Sequence, residues 1–253
     1  MKIKLDLPLQ VRSYWRSLPF AWVATPNQHA LYSYLQFMQT QVIDFLRARG
    51  NGIRILEIAC GTGRLAKRIM DECNPASLFA IDINPKSIIE AKKALSVDQK
   101  VTLVEGDIYN SEIRAKIPVA DAVICFDALM HFPDLDELFK YVHDDVLADS
   151  GIFIGNMIHS AREEEMYKVL ATCGEDKPGW ARIALNYKER SQAMKRFRTE
   201  GIPDDEIEPL MQQGMLRVNS LSRIELERRL AEVGFKTELI DENYHLFFIA
   251  RKV

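Results

Sequence analysis

The sequence predicts an α/β protein: a largely parallel sheet with helices between its strands and an antiparallel hairpin at one edge. Three observations carry this. Apolar runs of strand length alternate with amphipathic stretches from residue 53 to residue 158. The first run ends in a glycine turn, Cys60-Gly61-Thr62-Gly63, that passes directly into a helix. The last two strand-like runs, 236–241 and 246–252, are joined by only Glu242-Asn243-Tyr244-His245. A link that short permits an antiparallel pair, whereas a parallel pair needs a crossover.

Taken in order, residues 27–49 form a helix, because Leu31, Leu35, Met38, Val42, Phe45 and Leu46 recur at three- and four-residue steps. Asn27 is placed to cap it and Gly50 to stop it. Strands follow at 53–59, 77–83, 100–106, 120–126 and 151–158, with helices at 63–73, 85–96 and 134–148 between them. The strands are near-continuous apolar runs, as expected when both faces of a parallel sheet are covered. Ser222 opens a final helix, with Glu225 three residues on as the second half of a capping box and Gly234 as its stop. Residues 159–220 break the alternation and hold three short helical stretches near 166–170, 181–199 and 204–213.

Composition narrows the function classes. The 253 residues carry a net charge of −3, so bulk electrostatics favours neither nucleic acid nor an anionic membrane. No apolar run reaches transmembrane length, and the first residues lack a signal-peptide pattern. Cys60, Cys73, Cys125 and Cys173 have no C-x-x-C spacing, which argues against a zinc site or a disulfide framework and fits a reducing, cytoplasmic setting. No metal site is expected.

The glycine turn carries the chemistry. Gly61 and Gly63 allow a sharp turn and close approach of the backbone to a ligand. The free N–H groups of the next helix face that ligand. Asp82, about twenty residues later at the end of the second apolar run, is placed to bind the hydroxyls of a ribose. Gly61-Thr62-Gly63-Arg64-Leu65-Ala66 also satisfies the G-x-G-x-x-A form of the dinucleotide fingerprint, a weak signal alone.

The fuller string Glu57-Ile58-Ala59-Cys60-Gly61-Thr62-Gly63 resembles motif I of the class I S-adenosylmethionine-dependent methyltransferases, E/D-x-x-x-G-x-G. The resemblance continues through Ala80-Ile81-Asp82-Ile83, Glu105-Gly106-Asp107-Ile108 and Asp121-Ala122-Val123-Ile124-Cys125-Phe126. It implies a Rossmann-like class I methyltransferase fold, a seven-stranded sheet with an antiparallel last strand, plus a helical cap. It divides the chain into an N-terminal cap segment (1–49), a cofactor-binding core (50–158), a cap or lid insertion (159–220) and a closing helix and hairpin (221–253). The closing hairpin separates this reading from a nicotinamide dehydrogenase, whose sheet usually ends parallel.

The resemblance implies S-adenosylmethionine as cofactor, S-adenosylhomocysteine as product, and a small-molecule acceptor. Glu57 would meet the cofactor's ammonium, Asp82 its ribose, Ile83 the adenine face, Asp107 the adenine amino group and Ile108, by its N–H, the ring. Phe126 would flank the reactive end. Each has a structural alternative: Glu57 as a buried acid tying the glycine loop, Asp82 as a helix cap, Asp107 as a turn residue. His131 and His159, after the fourth and fifth strands, are the candidate catalytic residues, since imidazole titrates near neutrality. Either is equally readable as a structural histidine. A basic run, Arg182 to Arg198, leaves an RNA acceptor as the alternative, though no aromatics interleave it for base stacking. A protein acceptor and a non-catalytic cofactor-binding module are the further alternatives. The acceptor's identity and the oligomeric state are not encoded in any motif.

Overall fold

The computed structural model describes residues 29–95, 99–162 and 219–253, with Arg16 and Arg198. The N-terminal aromatic patch, Asn27, Cys173 and nearly all of the 159–220 insertion lie outside the described residues. Helix α1 spans His29–Ala48. Then come β1 (Arg54–Ile58), α2 (Arg64–Cys73), β2 (Ser77–Asp82), α3 (Pro85–Leu95), β3 (Val101–Glu105) and the short α4 (Ser111–Arg114). β4 (Ala120–Cys125) leads into a 3-10 turn, Leu129–His131, and α5 (Leu135–Tyr141). β5 (Leu147–His159), a two-residue β6 (Ser220–Leu221), α6 (Arg223–Glu232), β7 (Phe235–Glu242) and β8 (His245–Lys252) complete the order.

The sheet runs β3-β2-β1-β4-β5-β8-β7, with β6 paired to β5 off this path. β3, β2, β1, β4 and β5 are mutually parallel. β8 lies antiparallel to β5 and β7 antiparallel to β8, so the short link at residue 243 does close a hairpin. The seven-stranded mixed sheet expected from sequence is therefore present, with β6 as an eighth, minimal strand.

Local chemistry accounts for most boundaries. Asn84 Oδ1 accepts from the N–H groups of Lys86 and Ser87 and starts α3. Asp134 and Ser222 do the same for α5 and α6 through Glu137 and Glu225. The helix expected over 134–148 is shorter: after Tyr141 it widens into a π turn, Val142–Val146, and Leu147 already starts β5. The π turn packs His143 edge-on against Phe235, ring centroids 5.0 Å apart, joining α5 to the start of β7.

The core is continuous across the sheet. Phe153 of β5 sits among Phe139, Phe235 and Phe248, with centroid separations of 5.6–6.1 Å. Such tilted and edge-on pairs add to simple area burial. Met38, Val42, Ile43 and Leu46 of α1 are fully buried in the same core, so the second half of this helix is a core element packed on α2. Gly155 of β5 permits one close approach: a Cβ there would lie 2.8 Å from both Leu129 of the 3-10 turn and Phe248 of β8. At the opposite, N-terminal end of the strands, Asp121 clamps Arg54 by two guanidinium bonds of 2.8 and 3.0 Å and a backbone N–H bond of 2.8 Å.

Candidate functional site

The parallel strands β1 to β4 end on one side, where the strand order reverses between β1 and β4. Crevices of α/β sheets form at such a point. Here the crevice is lined by Ile58, Ala59 and Gly61 from β1 and its turn, Ile81 to Asn84 from β2, and Ser87 from α3. Gly106 to Tyr109 after β3 supply a third wall, and Asp127, Ala128 and His131 to Pro133 after β4 a fourth.

Two non-glycine residues at the lips hold left-handed backbones, Ala59 (φ 58) after β1 and Asp127 (φ 54) after β4. Such conformations are uncommon and concentrate at functional sites. Gly61 (φ 55) has open space where a Cβ would stand. Gly63 does not face the crevice. It begins α2 at φ 75, and a Cβ there would meet Ala91 and Leu95 of α3 at 3.0–3.2 Å. One glycine of the motif thus opens the crevice, and the other lets two helices meet.

Asp82 is the hub of the loops. One carboxylate oxygen accepts the N–H of Gly61 and the other that of Asn84, both at 2.8 Å. The loop-tying role considered for Glu57 therefore belongs to Asp82, and the capping role considered for Asp82 belongs to Asn84. Burial raises the Asp82 pKa, while the two N–H bonds oppose the rise. Each carboxylate oxygen retains a second lone pair for a further donor. Glu57, behind the turn, is buried, and its Oε2 has no hydrogen-bond partner among the described residues. Burial, and secondarily the charge of Asp82, push its pKa up to about 8.

On the β3 side, Asp107 Oδ1 accepts the Tyr109 N–H at 2.9 Å, so its turn role is present while it lines the crevice. Arg114 Nε donates to the Ile108 carbonyl at 2.6 Å and stacks on Tyr141, fixing that loop from behind. Ile83 and Ile108 line the crevice as expected. Phe126 is half-buried against the core and is not among the lining residues.

His131 ends the 3-10 turn and faces the crevice. Burial holds its pKa down to about 3, so it is neutral at physiological pH. His159, at the end of β5, turns its Nδ1 to accept the N–H of Ala161 at 3.1 Å and does not line the crevice. Asp127, Asn84, Tyr109 and Phe132 line it although sequence reasoning assigned them no site role. The left-handed conformation of Asp127 follows from contacts across the sheet and has no local signal. Among the described residues no cluster of His, Cys, Asp and Glu suited to a metal ion is present, and no helix is long and apolar enough to cross a membrane.

The strand order, the antiparallel closing hairpin and a crevice floored by a glycine turn and an acid define the class I methyltransferase fold. Residues 55–151 match the model of the methyltransferase domain. The magnesium protoporphyrin IX methyltransferase of Synechocystis PCC 6803, solved with bound S-adenosylmethionine, shares the fold: TM-score 0.60, 15% identity, 100% of each chain covered. A ribosomal RNA small subunit methyltransferase H of Clostridium botulinum is 25% identical over 58% of this chain and 50% of its own length. A malonyl-[acyl-carrier protein] O-methyltransferase of Anoxybacillus flavithermus is 44% identical over 23% of this chain and 22% of its own. The chain thus spans half or less of the length of these two relatives.

Proposed function

We propose that this chain is an enzyme that binds S-adenosylmethionine in the crevice and moves its methyl group to an oxygen or nitrogen of a small molecule, with carbon as the remaining option. The observation that carries this is the pairing of the Gly61 turn with Asp82 and a buried, unpartnered Glu57 Oε2 at the strand-order reversal. The residues fit the cofactor: Glu57 offers an acceptor to an ammonium, Asp82 to a ribose diol, Asp107 to an exocyclic amine, and Ile83 and Ile108 an apolar slot. When bound, the cofactor supplies an activated sulfonium methyl, so the hard chemistry is its own. The chain orients the reacting groups and excludes water, which alone yields large effective molarities. The reading extends to residues 1–49 and 159–220 as the segments that supply the cap over the acceptor, and to a cytoplasmic setting.

The experiment is calorimetric titration with S-adenosylhomocysteine. Wild-type chain binds, and Asp82→Ala weakens binding roughly tenfold or more, the effect of losing charge-assisted hydrogen bonds. Wild-type affinity in the variant removes the ribose assignment; binding of NAD instead removes the cofactor. An RNA acceptor is the second reading, favoured by the ribosomal RNA methyltransferase relative. Methyl-labelled S-adenosylmethionine offered with a metabolite extract and, separately, with total RNA decides between them.

A further inference from the structure

Behind the β4 lip of the crevice lies a polar group that the cofactor reading leaves unused. Asp127 presents a side chain 31% exposed, while His245, at the start of β8, is 3% exposed with its Nε2 3.9 Å from Asp127 Oδ1. Asn156 of β5, fully buried, accepts the Asp127 backbone N–H through Oδ1 at 2.6 Å. That bond holds the residue in its left-handed conformation. Two buried polar residues from the adjacent strands thus meet Asp127 at the crevice wall, Asn156 at its backbone N–H and His245 beside its carboxyl. Buried polar groups are costly unless matched, and this placement in an otherwise apolar sheet needs a reason.

We propose that Asp127, held by Asn156 and backed by His245, takes the proton from the methyl acceptor, and that the acceptor accordingly carries an ionisable O–H or N–H. This rests on the methyl-transfer reading above. The acceptor's heteroatom gives its proton to an Asp127 carboxylate oxygen and its lone pair to the methyl carbon, and the C–S bonding pair stays on sulfur. Asp127 then passes the proton to solvent through its exposed edge. His131 faces the same space and is the weaker base, since burial favours its neutral form so strongly. Asp127, desolvated by its surroundings, is brought up to about 7, where a base is best matched to neutral pH. His245 is a positioning residue: a proton on its Nε2 favours the carboxylate, and its own pKa is lowered by burial to about 4, so it stays neutral across the working range.

The other titratable groups around the carboxyl are Glu57 of β1, Asp82 of β2, Asp107 and Tyr109 after β3, Cys125 of β4 and His131 of the 3-10 turn. Burial alone accounts for the rise of the Asp127 pKa.

Two measurements on the full chain test the proposal. With carboxyl-13C aspartate, the resonance lost in Asp127→Asn titrates near neutrality. His245→Phe moves its midpoint upward because a hydrocarbon ring replaces the polar N–H group that faces the carboxyl, and His245→Gln restores it. A midpoint in the ordinary carboxylate range, or one indifferent to both His245 variants, overturns the pairing. Using methyl-labelled S-adenosylmethionine and a metabolite extract, Asp127→Asn loses roughly a hundredfold or more of label transfer near neutral pH. Its S-adenosylhomocysteine affinity stays within about threefold, a difference that saturating cofactor makes immaterial to occupancy. Wild-type transfer by Asp127→Asn overturns the proposal alone. No transfer by the wild type to any fraction overturns the methyl-transfer reading, while the carboxyl titration still judges the pair.

Discussion

At Glu57 burial acts against ionisation, and the consequence is a pH-dependent stability. The folded pKa, about 8, stands above that of an exposed glutamate. The folded chain therefore binds the proton more tightly than the unfolded chain. The stabilisation is complete at pH below the unfolded value and is lost as pH rises through the folded one. The thermal midpoint should fall as pH is raised from about 5 to about 8.5, and Glu57→Gln should flatten that slope. Scanning calorimetry across the range checks this; an unchanged slope in the variant assigns the effect elsewhere. Several residues of the site are legible in the chain, because Gly61, Asp82, Ile83, Asp107 and Ile108 sit at strand ends that hydropathy alone locates, and all five line the crevice. Asn156 is different. It is a lone amide inside the apolar run of β5, a signal visible in the sequence, but its partner Asp127 is 29 residues away and meets it only once β4 and β5 are paired. His245 is harder still, since it reaches Asp127 only through the β8 insertion beside β5.

At the scale of elements, most strands were legible to within a residue or two because each is a closed apolar run, while β5 starts four residues before its expected bound and the two-residue β6 carries no pattern; α6 was legible because Ser222 and Glu225 mark its start. The π turn after Tyr141 was not, since Val142 and Val146 satisfy helical and widened spacing alike. The 3-10 turn at Leu129–His131 is too short for periodicity to register. The contact between α2 and α3 gives the element-scale prediction. Gly63 has φ 75, and an added methyl would press on Ala91 and Leu95, parts of the α3 face that is already packed. Gly63→Ala should cost about 1–3 kcal/mol by overpacking and backbone strain together. Denaturant titration reads this directly. A loss under half a kilocalorie, on the order of an innocuous surface change, would mean that α3 moves aside freely.

For the whole molecule, the hairpin is the decisive piece. β8 is buried from His245 to Ala250 and pairs with β5 on one side and β7 on the other. Phe247, Phe248 and Ile249 are core residues, although they lie among the last ten of the chain. A chain ending at Gly234 would expose the β5 edge and remove Phe235 and Phe248, two of the three rings around Phe153. Such a truncation should abolish cooperative unfolding, tested by circular dichroism on heating. A sharp transition in the shortened chain would show that the parallel strands suffice.

Gly155 gives the sheet an adjustable hinge-pin for catalyst engineering. Because its missing side chain lets Leu129 rest flush on the strand, the depth at which the post-β4 corner sits is set from a position that does not line the crevice. Alanine there, combined with a smaller ring at 248 but with Leu129 kept, would press on Leu129 and push the turn that carries His131 off the strand, changing the depth of the cleft without substituting any residue that lines it.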